Sequence, residues 1–280
     1  MTTEALAAPR GRGLLAGFAG GRTLPISVVV LTILLIWYGA TVLLNAPQQI
    51  EQFEREGASW MATDLIVATM GMERPVLPSP HQVAIEMKQS IFDLRPTSKR
   101  SLVYHSWVTL SSTLLGFAIG ALIGVALAAG IVHVPTLEKS LMPWVISSQT
   151  IPILAIAPMI VVVLGAVGLK GLVPKAIIST YLCFFPVTIG MVKGLRSPDT
   201  LQMDLMRTYS ATRWQTFRLL RWPASIPFLF ASLKVAVAIS LVGAIVGELP
   251  TGAQAGLGAR LLAGSYYGQT VQIWAALLTA

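Results

Sequence analysis

The sequence predicts an all-α membrane protein, a bundle of about six spanning helices, and three observations carry that prediction. Hydrophobic residues make up 54% of the 280 and charged residues only 11%, against roughly 25% charged in an ordinary soluble domain. The charges cluster, so that Leu24–Leu44, Ser101–Val132 and Ser140–Leu169 hold none. Each of these runs reaches the roughly 20 residues with which a helix crosses a hydrocarbon core.

Taken in order, residues 1–23 form a tail with Arg10, Arg12 and Arg22 against Glu4. Residues 24–44 are the first transmembrane helix; the run exceeds the roughly 7–15 apolar residues of a signal peptide, which favours a retained span. Residues 45–100 form a long outer segment. A helix is expected near 50–70, and another opens at Ser79 as N-cap with Pro80 in its first turn. Residues 101–280 are the core: spans over 101–132 and 140–169, a shorter uncharged run between Lys175 and Lys193, and a fifth from Trp222 to Gly247 interrupted by Lys234. The final run, "QTVQIWAALLTA", is too short to span and reads as a truncated sixth helix.

Orientation follows from the basic residues. Lys193, Arg196, Arg207, Arg213, Arg218 and Arg221 stand against Asp199 and Asp204 in 193–222, while 46–100 is nearly balanced. The excess of Lys and Arg on cytoplasmic loops places the N-terminus and 193–222 inside and 45–100 in the periplasm. The net charge of +8 thus has a membrane explanation and does not call for nucleic acid.

Within the spans, Gly116, Gly120 and Gly124 recur every fourth residue, as do Gly243 and Gly247, a spacing that lets helix backbones pack closely. Ser147, Ser148, Gln149 and Thr150, followed by Pro152, form a polar patch in an apolar run. Polar groups and broken helices inside membranes mark substrate pathways, so these residues are the candidate pathway lining. Lys234 near one membrane face can extend its ammonium to the interface. Cys183 is the single cysteine, and His81, His105 and His133 are scattered, so no metal site is expected. The chain has no phosphate-binding G-x-x-x-x-G-K-[ST], no H-E-x-x-H and no G-x-S-x-G. It is not expected to be an enzyme, to bind a cofactor or to hydrolyse ATP.

Between the fourth and fifth runs, "DLMRTYSATRWQTFRLLRWP" (204–223) reads as a cytoplasmic helical hairpin over 198–223. Pro198 and Asp199 open it, Leu201, Leu205, Met206 and Tyr209 form an apolar stripe, and Ser210-Ala211-Thr212 breaks it. A second helix runs from Arg213 to Arg221 and ends at Pro223.

This segment resembles the EAA signature of binding-protein-dependent ABC importer permeases: E-A-A, three residues, G, nine residues, I-x-L-P. On that spacing Asp204 takes the glutamate position, Leu205 and Met206 the alanines, Ser210 the glycine, Leu220 the isoleucine, and Trp222-Pro223 the closing pair. "ATRW" at 211–214 is similar to the run that follows the glycine. "IPILAIAPMIVVVLG" at 151–165 and "FFPVTIGMVKGLRSPD" at 184–199 resemble the nitrate/sulfonate/taurine branch. The resemblance implies a type I ABC importer (MetI-like) transmembrane bundle in a bacterial inner membrane. It implies as partners an ABC ATPase subunit carrying ATP and Mg, a second permease subunit forming a homodimer, and a periplasmic or lipid-anchored substrate-binding protein. Asp204, Leu205, Met206, Arg207, Tyr209, Ser210, Ala211, Arg213, Trp214 and Pro223 would couple to the ATPase. The competing expectation is a stand-alone secondary transporter or channel, for which ionisable groups inside the spans would be needed.

Overall fold

The structure, a computed structural model, describes residues 23–250 and 255–280; the expected tail lies, up to residue 22, outside the described residues. The chain divides into two compact units, Met1–Ile85 and Glu86–Ala280, and the elements of both are helical. Among the described residues four helices are long and apolar enough to cross a membrane, or five if one sharply bent pair counts as a single span. In hydrocarbon a helix satisfies its own backbone polar groups, which is why apolar runs of this length fold this way.

In the first unit α1 spans Thr23–Glu56. The first transmembrane helix therefore runs beyond the expected 24–44. Nothing before Gly57 stops it; there the chain turns with φ +63°, and Ala58 N–H donates to Phe53 O while Gly57 N–H donates to Glu54 O. That paired closure at a glycine is a common helix stop, and it splits the helix expected near 50–70 into the end of α1 and a separate α2 (Ala62–Gly71). Asn45, fully buried on α1, holds the following chain. Its Oδ1 accepts from Val76 and Leu77 N–H at 2.8 and 3.1 Å, and its Nδ2 donates to Leu77 O at 2.9 Å. α3 runs from Pro80 to Lys88; Gln82 Oε1 accepts from Ser79 N–H at 3.1 Å, while the Ser79 hydroxyl bonds to Met70 O and Gln82 Oε1 and not to a helix N–H.

In the second unit the core is three long helices, α4 (Leu102–His133), α7 (Leu172–Leu195) and α10 (Trp222–Glu248). The glycine ladders are the seams between them. A Cβ on Gly120 would stand 2.8 Å from the Cβ of Cys183, and one on Gly124 2.8 Å from the Cβ of Val187, while Gly116 backs onto Ser179. Gly243 and Gly247 of α10 lie against the α7 backbone at Ser179 and Lys175. A second α7 ladder, Gly190 and Gly194, faces Ser232, Ser225 and Phe228 of α10; its four-residue spacing in "GMVKG" was open to the same reading. Hydroxyls tie the seams across helices: Ser179 to Ser240, Ser240 Oγ to Thr113 O at 3.0 Å, and Thr180 Oγ1 to Gly116 O at 3.1 Å. Ala128, Ile131, Cys183, Val187, Met191, Leu195 and Ala236 close the core below the glycines.

The run 140–169, expected as one span, is two helices. α5 (Pro135–Ser147) and α6 (Ile153–Ala166) meet at 99°. Ser148–Thr150 tighten into a 3₁₀ turn, and Ile151 and Pro152 are extended, as expected for a proline and the residue before it. The connection 198–221 holds α8 (Thr200–Thr208) and α9 (Arg213–Thr216), followed by a wide π turn, Phe217–Arg221. Contrary to the expectation, Pro223 does not end the second hairpin helix: 213–248 is one continuous helical path. Pro223 has no N–H to give and its ring crowds the carbonyl four residues back, and the π turn lies over that stretch. Beyond α10 come two 10-residue helices, α11 (Leu257–Tyr266) and α12 (Thr270–Thr279); the expected sixth span corresponds to α12.

Candidate functional site

Two constructions stand out, at opposite ends of the α7–α10 pair. The first is the hairpin. Asp199 caps α8, its Oδ1 accepting from Gln202 N–H at 2.8 Å while Gln202 Oε1 accepts from Asp199 N–H at 3.3 Å. Such reciprocal capping satisfies donors the helix start leaves open. At the other end Ala211 N–H donates to Met206 O at 2.9 Å and Ser210 N–H to Arg207 O at 2.8 Å, with Ser210 at φ +49°. This is a left-handed helix stop of the kind glycine usually fills, and it falls where the resemblance placed a glycine. Thr212 then caps α9, its Oγ1 accepting from Gln215 N–H at 3.2 Å and Gln215 Oε1 from Thr212 N–H at 2.8 Å. The hairpin is therefore fixed by its own backbone and caps.

Its apolar stripe is uncovered. Leu201 is 78% exposed, Leu205 55%, Tyr209 77% and Trp214 66%, and α8 has no buried residue. Arg207 pairs with Asp204 at 2.9 Å on the surface, a contact that contributes well under about 1 kcal/mol. Met206 and Ala211 are half-buried, whereas Arg213 and Pro223 are exposed. A contiguous apolar face on a rigid, polar-rimmed projection marks an interaction surface.

The second construction, which sequence reasoning missed, is a buried charged node at the other end of the bundle. Glu248 ends α10 with no exposed surface. Its Oε1 accepts from Lys175 Nζ at 3.2 Å and its Oε2 from Gly258 N–H at 2.8 Å. Thr109 Oγ1 lies 3.0 and 2.9 Å from the two carboxylate oxygens and accepts in turn from Leu257 N–H at 2.9 Å. Lys175 also donates to Ala255 O at 2.6 Å. His105 Nδ1 accepts from Gly256 N–H at 3.0 Å, and its Nε2, 3.0 Å from Lys99 O, carries the proton because a carbonyl can only accept. Four elements are thereby joined: α4, α7, α10 and the start of α11. Gly256, at φ +125°, and Gly258 permit it, since a Cβ on either would strike Glu248 itself. The sequence signal was available in a glutamate closing an apolar span, followed by "GLG". Lys175 escaped notice because it was read as the boundary of the fourth uncharged run, whereas it lies in the first turn of α7.

Beside this node is a cavity of about 860 Å³ whose wall includes Tyr104, Trp107, Ser111, Lys170 and Lys175. The residues singled out for a pathway lie elsewhere: none of Ser147–Pro152 lines it. They form the bend itself, with Ser147, Gln149 and Thr150 exposed, Thr150 Oγ1 bonded to Ser147 O at 2.7 Å, and the Tyr181 hydroxyl bonded to Ser148 O. Lys234 is exposed on α10, as an ammonium extended to an interface would be.

Fold and hairpin define a polytopic helical membrane protein with a preformed projection whose apolar stripe is exposed. The family model described as the binding-protein-dependent transport system inner membrane component matches residues 116–280, and the chain belongs to that family of ABC importer permeases. It is 32% identical to the riboflavin transport system permease protein of Chloroflexus aurantiacus, over 76% of this chain and 75% of that one. It is 31% identical to the formylaminopyrimidine transport permease protein of Halalkalibacterium halodurans, over 65% and 68% respectively. The putative aliphatic sulfonates transport permease protein of Bacillus subtilis matches at 24%, over 72% and 70%.

Proposed function

We propose that this chain forms the membrane pathway of an ATP-driven importer and receives the work of ATP hydrolysis through its 198–223 hairpin. The observation that supports this most is the uncovered stripe of Leu201, Leu205 and Tyr209 on a hairpin braced by two capping boxes and a left-handed stop. A separate ABC ATPase, carrying ATP and Mg, would bury that stripe, with Arg207, Arg213 and Trp214 at its rim; Arg and aromatic residues are common anchors at such contacts. The charge distribution supports a cytoplasmic N-terminus and hairpin. A second copy of the chain would complete the pathway, and a periplasmic or lipid-anchored binding protein would deliver the solute. Ser147, Ser148, Gln149 and Thr150 with Pro152, at the 99° bend, are the pathway groups.

Substituting Leu205→Asp with Tyr209→Asp tests the coupling assignment. The variant is expected to remain in the membrane and to lose its ATPase subunit on purification. Retention of the ATPase at wild-type stoichiometry would refute it.

For the solute we infer a planar nitrogen heterocycle. Two relatives above 30% identity are named for one, riboflavin and formylaminopyrimidine, while the sulfonate permease matches at 24%. The binding protein that serves this chain should be stabilised in a thermal-shift assay by riboflavin or a formylaminopyrimidine. Stabilisation by methanesulfonate or nitrate alone would overturn this.

The buried Lys175–Glu248 pair is the observation a gradient-driven transporter would draw on. Its hydrogen bonds to Thr109, Gly258 and Ala255 hold both charges in place, which favours a fixed structural role.

A further inference from the structure

We propose that His133, through the ring of Phe217, is the positioning residue that carries movement of the hairpin into the bundle; this rests on the coupling reading above. With no buried residue on α8, a force applied there passes into the bundle through the hairpin's two ends, where the chain joins it. At the first end Leu195 sits in the core, and Arg196 forms an exposed 2.7 Å ion pair with Glu138 of α5. At the second end the joint is aromatic. Phe217 meets the His133 ring edge-on, with centroids 5.0 Å apart and planes at 79°. Trp214 lies 5.6 Å away on the hairpin side and Trp222 5.9 Å away on the α10 side. Phe217 and Trp222 both pack against the buried core cluster that includes Ile131, Met191 and Leu195.

Three features suit this joint to movement. His133 is the last residue of α4, and its Nδ1–H donates to Ala129 O at 2.7 Å, so the ring is held at a fixed angle. Phe217 opens the π turn, where Trp222 N–H reaches back five residues to Phe217 O; single π turns inside helices are concentrated at functional sites. An open recess of about 270 Å³ lined by Ala129, His133, Arg213, Trp214 and Phe217 adjoins the joint. The exposed Arg196–Glu138 pair at the other joint contributes little, whereas the ring contact joins the hairpin side to α4 directly.

The test uses the complete complex with its ATPase in nanodiscs, in a Cys183→Ser background. A Lys170→Cys reporter on the wall of the large cavity is alkylated by a membrane-impermeant maleimide, with and without MgATP and orthovanadate. In this background nucleotide should change the alkylation rate by at least about fivefold, the low end of ordinary allosteric coupling. His133→Ala should keep ATPase assembly and hydrolysis yet reduce that change to less than about twofold, while His133→Phe, which keeps a ring edge against Phe217, should restore it. A purely structural role for His133 would not separate hydrolysis from the reporter response. If His133→Ala and Phe217→Ala respond as the parent does while Leu205→Asp does not, the joint is refuted and the coupling reading stands. Failure of His133→Phe to restore the response also refutes the ring contact. If the parent shows no response, or Leu205→Asp leaves it intact, the coupling reading itself fails.

Discussion

Ser210 takes a left-handed conformation that costs an L-residue about 1–2 kcal/mol relative to a right-handed one, and the chain accepts this because Ser210 and Ala211 N–H together close α8. That position was legible in the sequence: the spacing of the signature put a glycine there, and the geometry is the one glycine serves. Glu248 was not legible in the same way. Its partners stand 73 and 139 residues earlier and 10 residues later, and no local pattern joins them. Removing one partner of a buried ion pair typically costs about 3–5 kcal/mol, because the other charge is left without compensation. Glu248→Ala and Lys175→Met should each lower the unfolding midpoint in detergent clearly. The double variant Glu248→Ala/Lys175→Met should be less destabilised than the sum of its singles, since it leaves no unpaired charge at the node. Additive losses in a double-mutant cycle would show that the two side chains do not act on each other.

At the scale of elements, the long apolar helices and their seams could be read directly, because membrane helices announce themselves by length and glycine spacing alone. Gly116, Gly120 and Gly124 sit against Ser179, Cys183 and Val187 as a close-packed ladder requires. Helix boundaries were harder. α1 continued past Leu44 because polar residues such as Asn45 and Gln49 are compatible with helix, and only Gly57 supplied a stop. The 140–169 run looked continuous in hydropathy, yet Pro152 and the 3₁₀ turn before it break it by 99°. Pro223 led to the opposite error, since a proline early in a helix, after a π turn, does not end it. The hairpin was the most readable element of all, because its caps, Asp199 and Thr212, and its stop, Ser210, are local in sequence.

Over the whole molecule, a three-helix core seamed by glycines is locked at one end by the Glu248 node and carries at the other a hairpin whose apolar face lies open. A rigid body with one fixed end and one projecting handle is the form in which a partner's movement can bias a two-state assembly. The central claim is that the handle engages an ATPase. The most direct measurement places a photoreactive benzoylphenylalanine at Tyr209 in native membranes, with the same group at exposed Phe92 as the comparison, and identifies what is crosslinked. A crosslink is expected from position 209 to the nucleotide-binding subunit and none from position 92. Crosslinks from 209 to lipid alone, in membranes where that subunit is present, would contradict it.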